Sequence, residues 1–299
     1  MLKYILGIDI GGTKIQTGLV NTNLKVIQGK QSVMKRNTKS QALNSIFNSI
    51  EDYNPKDIKA IGISITGLVD SKKGIAIKSP NLPKGFFNVP LTKLISKKFK
   101  KPTFIENDGN CIALAEAIVG EGKNNKIVFS LTLGTGIGSG LIINKKLYTG
   151  SKNIFEFGHT FISNEKQKCN CGQYGHFESF VTGDGIQRTY KKLTNKNKTS
   201  YEIIKEAKLN KSSAKKAVVL TSHYLTLGLA NIINSYNPDI IVLGGGLAKL
   251  NVLTKPAIKN IYSHLSSPEY KKTKVKVSKL GYDAGVLGAA LLTRYTRKK

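Results

Sequence analysis

The sequence predicts an α/β fold, and three observations support this class. Short apolar runs rich in β-branched residues alternate with longer stretches whose apolar residues recur at helical spacing. Several of the short runs end in glycine-rich turns. The 299 residues exceed what one small core needs and fit two domains of about 100–200 residues each.

The first half of the chain predicts strands and helices in alternation. Residues 4–9 form an apolar strand, Gly11 and Gly12 permit an unusual turn, and residues 15–20 resume as a strand. A helix is predicted over residues 40–53, and Pro55 stops it. The following predicted elements are a strand at 60–65, a loop with Gly67, Asp70 and Gly74, a proline-rich loop at 79–85, a helix at 91–99, a strand at 103–106 and a helix through 113–119.

The second half repeats this arrangement. Strands are predicted at 127–133 and 141–143, with a string of glycines between them. Residues 163–176 are predicted to be irregular and residues 201–234 to be helical. A buried strand at 240–243 runs into three glycines, and residues 283–292 form a closing helix. Two strand–turn–strand units in one chain indicate a duplicated domain.

The glycine turns are candidate phosphate sites. They lack the residue order of a Walker A loop and of a dinucleotide-binding loop, but their backbone N–H groups and hydroxyls suit an anion. One glycine hairpin alone is better explained as a tight turn, whereas three such segments favour nucleotide binding. The predicted nucleotide-binding residues are Asp9, Gly11, Gly12, Thr13, Lys14, Gly134, Thr135, Gly136, Gly244, Gly245 and Gly246.

Two acidic residues follow predicted strands. Asp9 lies beside the first glycine turn, and we expect it to hold Mg²⁺ through water; an aspartate that caps its own turn is the alternative. Asn107 and Asp108 follow the strand at 103–106, at the strand end where open α/β sheets bind ligands. Asp108 can accept the proton of an attacking hydroxyl, and Asn107 can hold the same substrate. By spacing alone, an Asn-Asp pair is more often a helix N-cap.

A cluster of metal-binding residue types lies within eighteen positions: His159, Cys169, Cys171 and His176. Thiolates with imidazoles are typical tetrahedral zinc ligands. Four protein ligands leave no open position, so we expect a structural zinc site. A reduced loop with unpaired thiols is the alternative. The remaining cysteine, Cys111, is expected to be buried.

The net charge is +29, yet the composition does not favour nucleic-acid binding. Arginine, the preferred residue for bidentate phosphate and base contacts, occurs at four positions only, and the lysines are spread along the chain. No signal peptide or membrane-spanning segment is expected, and three cysteines are too few for a disulfide framework. We therefore expect a cytoplasmic protein without nucleic-acid or membrane partners.

Together these segments resemble the ROK family of sugar kinases and sugar-responsive repressors, end to end. The stretches that carry the resemblance lie at residues 9–13, 67–70, 80–83, 106–108, 134–140, 156–159, 169–175, 244–246 and 283–285. The resemblance implies an actin-like ATPase (ribonuclease H-like) fold with two lobes around a cleft. It places residues 1–117, completed by the helix at 283–299, in a small N-terminal lobe. Residues 118–282, with the metal-binding loop, form the large C-terminal lobe.

The resemblance also implies an activity and its residues. Such enzymes transfer the γ-phosphate of ATP to a sugar hydroxyl, commonly the 6-hydroxyl of a hexose such as glucose or an N-acetylhexosamine. Asp108 matches the family's general base, and the histidine matching His159 contacts both zinc and sugar. Dimers are common among such enzymes, so a homodimer is expected. The matching substrate-binding residues are Gly67, Asn81, Asn107, Asp108, Glu156, His159 and Glu178.

Two departures and three alternatives accompany the resemblance. His176 stands where the family usually has a third cysteine ligand, and Phe155 stands where it usually has glycine. A repressor is disfavoured because the first predicted strand starts at residue 4, which leaves no room for a helix-turn-helix domain. A non-catalytic sugar or nucleotide sensor stays open. So does a kinase that uses polyphosphate, for which the surface lysines would form a track.

Overall fold

The computed structural model describes residues 4–79, 81–150 and 155–295. Two compact units are present. The first takes in residues up to Asn124, the segment Gly140–Phe155 and residues from Leu280 onward; the second comprises Asn125–Ser139 and Glu156–Lys279. The predicted lobe boundary between residues 117 and 118 stays a prediction. Pro80 of the proline-rich loop and residues 296–299 of the last predicted segment lie outside the described residues.

Strands and helices alternate along the described residues, as the predicted α/β class requires. The strands are β1 (Tyr4–Ile10), β2 (Lys14–Val20), β3 (Val26–Val33), β4 (Ile58–Ile65), β5 (Leu68–Asp70), β6 (Ile75–Lys78), β7 (Phe87–Val89), β8 (Thr103–Asn107), β9 (Ile127–Leu133), β10 (Ile137–Ile143), β11 (Lys146–Tyr148), β12 (Ile240–Gly244) and β13 (Lys274–Val277). The α-helices are α1 (Lys39–Glu51), α2 (Leu91–Phe99), α3 (Asp108–Ile118), α4 (Phe177–Val181), α5 (Gly183–Thr194), α6 (Ser200–Lys208), α7 (Ser212–Tyr236), α8 (Asn251–Asn260) and α9 (Asp283–Tyr295).

Two five-stranded sheets share one pattern of connections. The first has the order β3-β2-β1-β4-β8, and the second has the order β11-β10-β9-β12-β13. In each sheet, three strands that are consecutive in sequence lie side by side. Two later strands, β4 and β8 in the first sheet and β12 and β13 in the second, then extend the sheet in parallel from the first of the three. A small antiparallel sheet, β5-β6-β7, belongs to the first unit. The repeated pattern agrees with the duplication that the sequence indicates.

The first unit has a core of aliphatic side chains from β1, β4 and α1, such as Ile8, Ile63 and Ile46, all fully buried. Helix α9 packs on β1 and β4. Glycine makes this approach possible, because a Cβ at Gly62 would overlap the Ala289 carbonyl. The last described helix therefore covers one face of the first sheet.

The second unit contains the longest helix, α7. By length and composition α7 is apolar enough to cross a membrane, which the sequence analysis did not expect; 61% of its most apolar window is buried inside the protein. It packs against α5 and α6 through a core that includes Ile186, Ile203 and Val218. A mostly buried helix of this kind is typical of a protein core, so the segment is weak evidence for a membrane span.

Several sequence predictions differ from the structure, and helices α5 and α8 were not predicted. The predicted loop around Gly67 and Gly74 is the β5-β6 hairpin. The helical stretch at 201–234 is two helices, α6 and α7, because residues 209–211 interrupt it. Strand β3 was missed because it lies at a sheet edge and six of its eight side chains are exposed, so its sequence shows no apolar alternation.

Candidate functional site

Asp9 lies near the end of β1, directly beside Ser64 of the neighbouring strand β4. The Ser64 hydroxyl donates a 2.6 Å hydrogen bond to Asp9 Oδ1. On the other side, a Cβ at Gly285 in the first turn of α9 would collide with the carboxylate. Burial raises the pKa of Asp9 to about 6; the Ser64 bond opposes this shift, and the charge of Asp108 adds to it. A cation bound here would stabilise the ionised form.

The first glycine hairpin joins β1 to β2. The Gly11 N–H donates to the Lys14 carbonyl at 3.0 Å, which closes the turn, and the side chains of Thr13 and Lys14 are exposed. Gly12 lies against a loop residue, since a Cβ at Gly12 would be 2.7 Å from the Cβ of Asn81. A predicted phosphate-binding residue and a predicted sugar-binding residue are therefore neighbours within the first unit.

Asp108 is the first residue of α3, and Asn107 is the N-cap of that helix. The side-chain oxygen of Asn107 accepts from the Asn110 N–H at 3.3 Å, while its Nδ2 donates to the Gly67 carbonyl at 2.9 Å. Asp108 Oδ1 accepts from the Gly109 N–H at 2.9 Å. The N-cap interpretation is therefore correct for Asn107, and the same cap positions the carboxylate of Asp108.

The pKa of Asp108 is raised above its ordinary value. Burial is the main cause, and hydrogen bonds from the Gly109 amide and the Asn107 side chain oppose it. A carboxylate whose pKa is raised is a stronger base once ionised, as proton abstraction from a hydroxyl requires.

Glu106 is a buried carboxylate that the sequence analysis assigned no role. Its Oε1 accepts from the Asn107 N–H at 2.7 Å and from Asn110 Nδ2 at 3.1 Å, and its Oε2 accepts from the Ser71 hydroxyl at 2.6 Å. Glu106 is 2% exposed. It therefore holds the strand–helix junction that presents Asp108. The sequence signal was present, since a charged residue at the end of an apolar strand is costly to bury without partners.

Gly67 and Asn81 complete the group in the first unit. Gly67 has a φ of +100°, and a Cβ there would collide with the Lys78 carbonyl. Asn81 is exposed; its Nδ2 donates to Thr66 Oγ1 at 3.4 Å, and its carbonyl accepts from Arg36 at 3.3 Å. Hydrogen bonds and close approaches thus link Gly12 to Asn81 and Gly67 to Asn107.

The second glycine hairpin, at residues 134–136 of the second unit, joins β9 to β10. The Gly134 N–H donates to the Gly136 carbonyl at 3.0 Å, and Thr135 at the tip is exposed. The Gly183 N–H, in the first turn of α5, donates to the Gly134 carbonyl at 3.3 Å. The hairpin is thus attached to a helix N-terminus, an arrangement that favours an anion.

The third glycine segment follows β12 and meets the second hairpin. Gly244 pairs with Thr132 of β9, and Gly245, with a φ of +84°, lies so close that a Cβ would collide with the Leu133 carbonyl. A Cβ at Gly246 would meet nothing, and both Gly245 and Gly246 are exposed. The structure therefore brings the second and third glycine segments together at the carboxyl ends of the neighbouring strands β9 and β12.

Glu178, a predicted sugar-binding residue, is hydrogen-bonded inside the second unit. Its Oε2 accepts from the Ile137 N–H at 2.9 Å, and a Cβ at Gly136 would lie 2.9 Å from the same oxygen. Its Oε1 accepts from Cys169 Sγ at 3.6 Å. Glu178 thus contacts both the glycine hairpin and the metal cluster.

The four predicted metal ligands are brought together. One donor atom each from His159, Cys169, Cys171 and His176 lies within 4.8 Å of the others. Cys169 Sγ is 3.6 Å from His159 Nδ1, and Cys171 Sγ is 3.3 Å from His176 Nδ1. Burial, followed by the nearby His159, lowers the pKa of His176, which favours the neutral imidazole that ligates metals. Two thiols and two imidazoles at this spacing fit a tetrahedral zinc ion after a small contraction.

Glu156 caps a 3₁₀ turn, Phe157–His159, of which His159 is the last residue. The His159 N–H donates to the Glu156 carbonyl at 3.1 Å, so a predicted sugar-binding residue directly precedes the metal cluster. Phe155, the bulky departure from the family's glycine, belongs to the first unit, where its ring lies edge-on to Tyr148 with 6.1 Å between centroids.

A family model described as the ROK family matches residues 5–296. The chain belongs to the ROK family. A glucokinase of Thermotoga maritima is 30% identical to it, over 97% of this chain and 97% of its own. An N-acetyl-D-glucosamine kinase of Photobacterium profundum is 32% identical, over 96% and 98%. A xylose repressor of Caldicellulosiruptor bescii is 30% identical, over 95% of this chain and 76% of its own.

Solved ROK structures share the fold. A ROK hexokinase from Thermus thermophilus has a TM-score of 0.86 at 25% identity and covers 96% of both chains. A ROK glucokinase from Streptomyces griseus, solved with glucose and AMPPNP, has a TM-score of 0.83 at 26% identity and covers 97% of this chain and 99% of its own. The predicted actin-like ATPase fold is thereby confirmed.

Proposed function

We propose that this ROK protein is an ATP-dependent sugar kinase. It transfers the γ-phosphate of MgATP to a hydroxyl, the 6-hydroxyl, of a hexose such as glucose or an N-acetylhexosamine. The observation that carries the proposal is the half-buried carboxylate of Asp108, presented by a capped helix N-terminus and given a raised pKa by desolvation. Phosphoryl transfer needs one group that orients the attacking hydroxyl and accepts its proton, and Asp108 has this role.

The glycine segments are assigned to the phosphates. In the first unit the hairpin at Gly11 and Gly12 lies beside Asp9 at the end of β1. In the second unit the hairpin at 134–136 and the glycines at 244–246 meet at the carboxyl ends of β9 and β12. Asp9 is the residue that would hold Mg²⁺, and the cation would lower its pKa from about 6 and keep the carboxylate ionised. Magnesium bound there would neutralise phosphate charge.

The predicted sugar-binding residues form a separate group in each unit. Asn81, Asn107 and the backbone of Gly67 are held together by hydrogen bonds in the first unit. Glu156, His159 and Glu178 supply carboxylate and imidazole groups from the second unit. Amides and carboxylates are suited to the alternating donors and acceptors of sugar hydroxyls.

The metal cluster is assigned to structural zinc, with all four positions taken by protein ligands. We expect His176→Ala to lower the zinc content measured by mass spectrometry of the purified protein, because one of four ligands is lost. His176→Cys should retain zinc, since a thiolate can replace the imidazole at that position. His264→Ala, an exposed histidine away from the cluster, is the matched control and should not change zinc content. An unchanged zinc content in His176→Ala would remove this residue from the ligand set.

The function is tested by a coupled ADP-release assay with MgATP, carried out on a panel of hexoses and N-acetylhexosamines. Turnover on one or two sugars supports the kinase and identifies its substrate. The lysine-rich surface suggests polyphosphate as an alternative phosphate donor. A parallel reaction with polyphosphate as the sole donor tests this, and sugar phosphate must form in that reaction if polyphosphate is used. The kinase assignment is contradicted if folded, zinc-loaded protein phosphorylates no sugar with either phosphate donor.

A sugar-responsive regulator is the second candidate, favoured by the similarity to a xylose repressor. A regulator binds sugar without phosphorylating it, so calorimetric sugar binding without ADP release distinguishes it from an enzyme. For the kinase we propose a cytoplasmic homodimer whose partners are the sugar and ATP, and not nucleic acid or membrane.

A further inference from the structure

Helix α4 connects the metal cluster to the second glycine hairpin within five residues. His176, a proposed zinc ligand, is its N-cap, and Thr182, the residue after its last turn, caps α5. The Thr182 hydroxyl donates back to the Glu178 carbonyl at 3.0 Å. The segment from the metal cluster to the start of α5 is therefore short and internally hydrogen-bonded.

Two contacts tie this segment to the hairpin. The Glu178 carboxylate accepts the Ile137 N–H at 2.9 Å and leaves no room for a side chain at Gly136. Five residues later, the Gly183 N–H donates to the Gly134 carbonyl at 3.3 Å. Both ends of the hairpin thus depend on the position of α4.

The same carboxylate also faces the metal cluster. Glu178 Oε1 is 3.6 Å from Cys169 Sγ. Residues 163–176, which carry three of the four ligands, contain no α-helix and are tied by a few backbone bonds, such as the Cys169 N–H to the Gln173 carbonyl at 2.7 Å. An irregular segment of this kind gains order when its donor atoms share one ion.

We propose that Glu178 is a positioning residue that couples occupancy of the metal cluster to nucleotide binding at the second glycine hairpin. Ligation fixes Cys169 and His176, these fix the start of α4, and Glu178 then holds the Ile137 amide and the hairpin in the conformation that accepts phosphate. This coupling rests on the proposed nucleotide-binding role of the hairpin and extends it. Because coupling between two binding sites is reciprocal, the nucleotide must tighten zinc binding by the same factor by which zinc tightens nucleotide binding.

The first test is calorimetric titration of MgAMPPNP into zinc-loaded and chelator-stripped protein. Wild type is expected to bind the nucleotide about fivefold or more weakly after zinc removal. In Glu178→Leu the hairpin contact is lost, and zinc removal should no longer change the nucleotide Kd. Glu178→Gln keeps a side-chain oxygen for the Ile137 N–H and should retain most of the coupling. Equal Kd values for zinc-loaded and stripped wild type, or an undiminished difference in Glu178→Leu, would overturn the proposal.

The second test needs no nucleotide. Hydrogen exchange of peptides covering residues 133–141 should be slower in zinc-loaded than in stripped wild type, and this difference should vanish in Glu178→Leu. Circular dichroism of each sample establishes that the protein is folded. If the hairpin shows zinc-dependent protection but neither form binds MgAMPPNP, the mechanical link stands and the nucleotide role fails. If the protection does not depend on zinc, the link itself is wrong.

Discussion

Asp108→Asn is expected to reduce kcat by about 10²–10⁴-fold while the hexose Kd changes little. Asparagine has the size of aspartate and can still accept the Gly109 N–H bond that now orients the carboxylate. It cannot accept the proton of the attacking hydroxyl. The rate is measured with the coupled ADP assay at saturating sugar and MgATP, and sugar binding is measured by calorimetry.

The matched control for this variant is Asp52→Asn, an exposed aspartate at the end of α1. It makes the same chemical change away from the site and should leave kcat unaltered. The raised pKa of Asp108 adds a pH signature. Because only the ionised carboxylate accepts a proton, wild-type kcat/KM should fall as the pH drops through the raised pKa, at a higher pH than for an ordinary aspartate. Turnover by Asp108→Asn close to wild type would exclude Asp108 as the base.

Asp9→Asn is expected to lose phosphoryl transfer and to gain stability. Neutral asparagine can accept the Ser64 hydroxyl but is a poor magnesium ligand, so activity should drop about 10²-fold or more at ordinary Mg²⁺ concentration. The pKa of Asp9 is about 6, against 3.8 for a solvated aspartate. Ionisation of this buried group at neutral pH therefore opposes folding. Its replacement should raise the free energy of unfolding by about 1–3 kcal/mol in Mg²⁺-free buffer.

The sign of the pH dependence separates this stabilisation from a general effect of the substitution. The folded protein binds the Asp9 proton more tightly than the unfolded chain, so the destabilisation is absent below about pH 4, develops between about pH 4 and 6, and is complete above. Urea unfolding at several pH values should show the two proteins converging as the pH falls through this window. Equal stability at pH 7.5, or a pH-independent difference, contradicts the account.

The sequence predicted the elements that carry strong local signals. The apolar run of β1, its glycine turn and the apolar run of β9 were placed correctly because burial of alternate or continuous apolar residues leaves a pattern within the segment. Strand β3 has no such pattern, since an edge strand that faces solvent needs no apolar residues. The start of α3 at Asp108 lies five residues before the predicted stretch 113–119, and its local signal was the Asn107 cap.

The candidate site was predictable as a set of residues but not as an arrangement. Asp108 was proposed from its place after an apolar strand and from the family resemblance, and the Cys/His cluster from residue types within eighteen positions. The proximity of Gly12 to Asn81, and of Glu178 to Ile137, depends on how loops far apart in sequence meet. No periodicity records such contacts. Family resemblance named Glu178 as a sugar ligand, whereas its bond to the hairpin became visible only in three dimensions.

The position of α9 on β1 and β4 has a consequence for synthesis of the chain. The backbones touch where Gly7 faces Val286 and Gly62 faces Ala289, so β1 and β4 are covered by a helix that is translated more than 200 residues after them. Until those residues emerge, one face of the central strands has no apolar partner, whereas the residues that build the second unit have already been translated. The core of the first unit therefore closes only after the residues of the second unit have been translated.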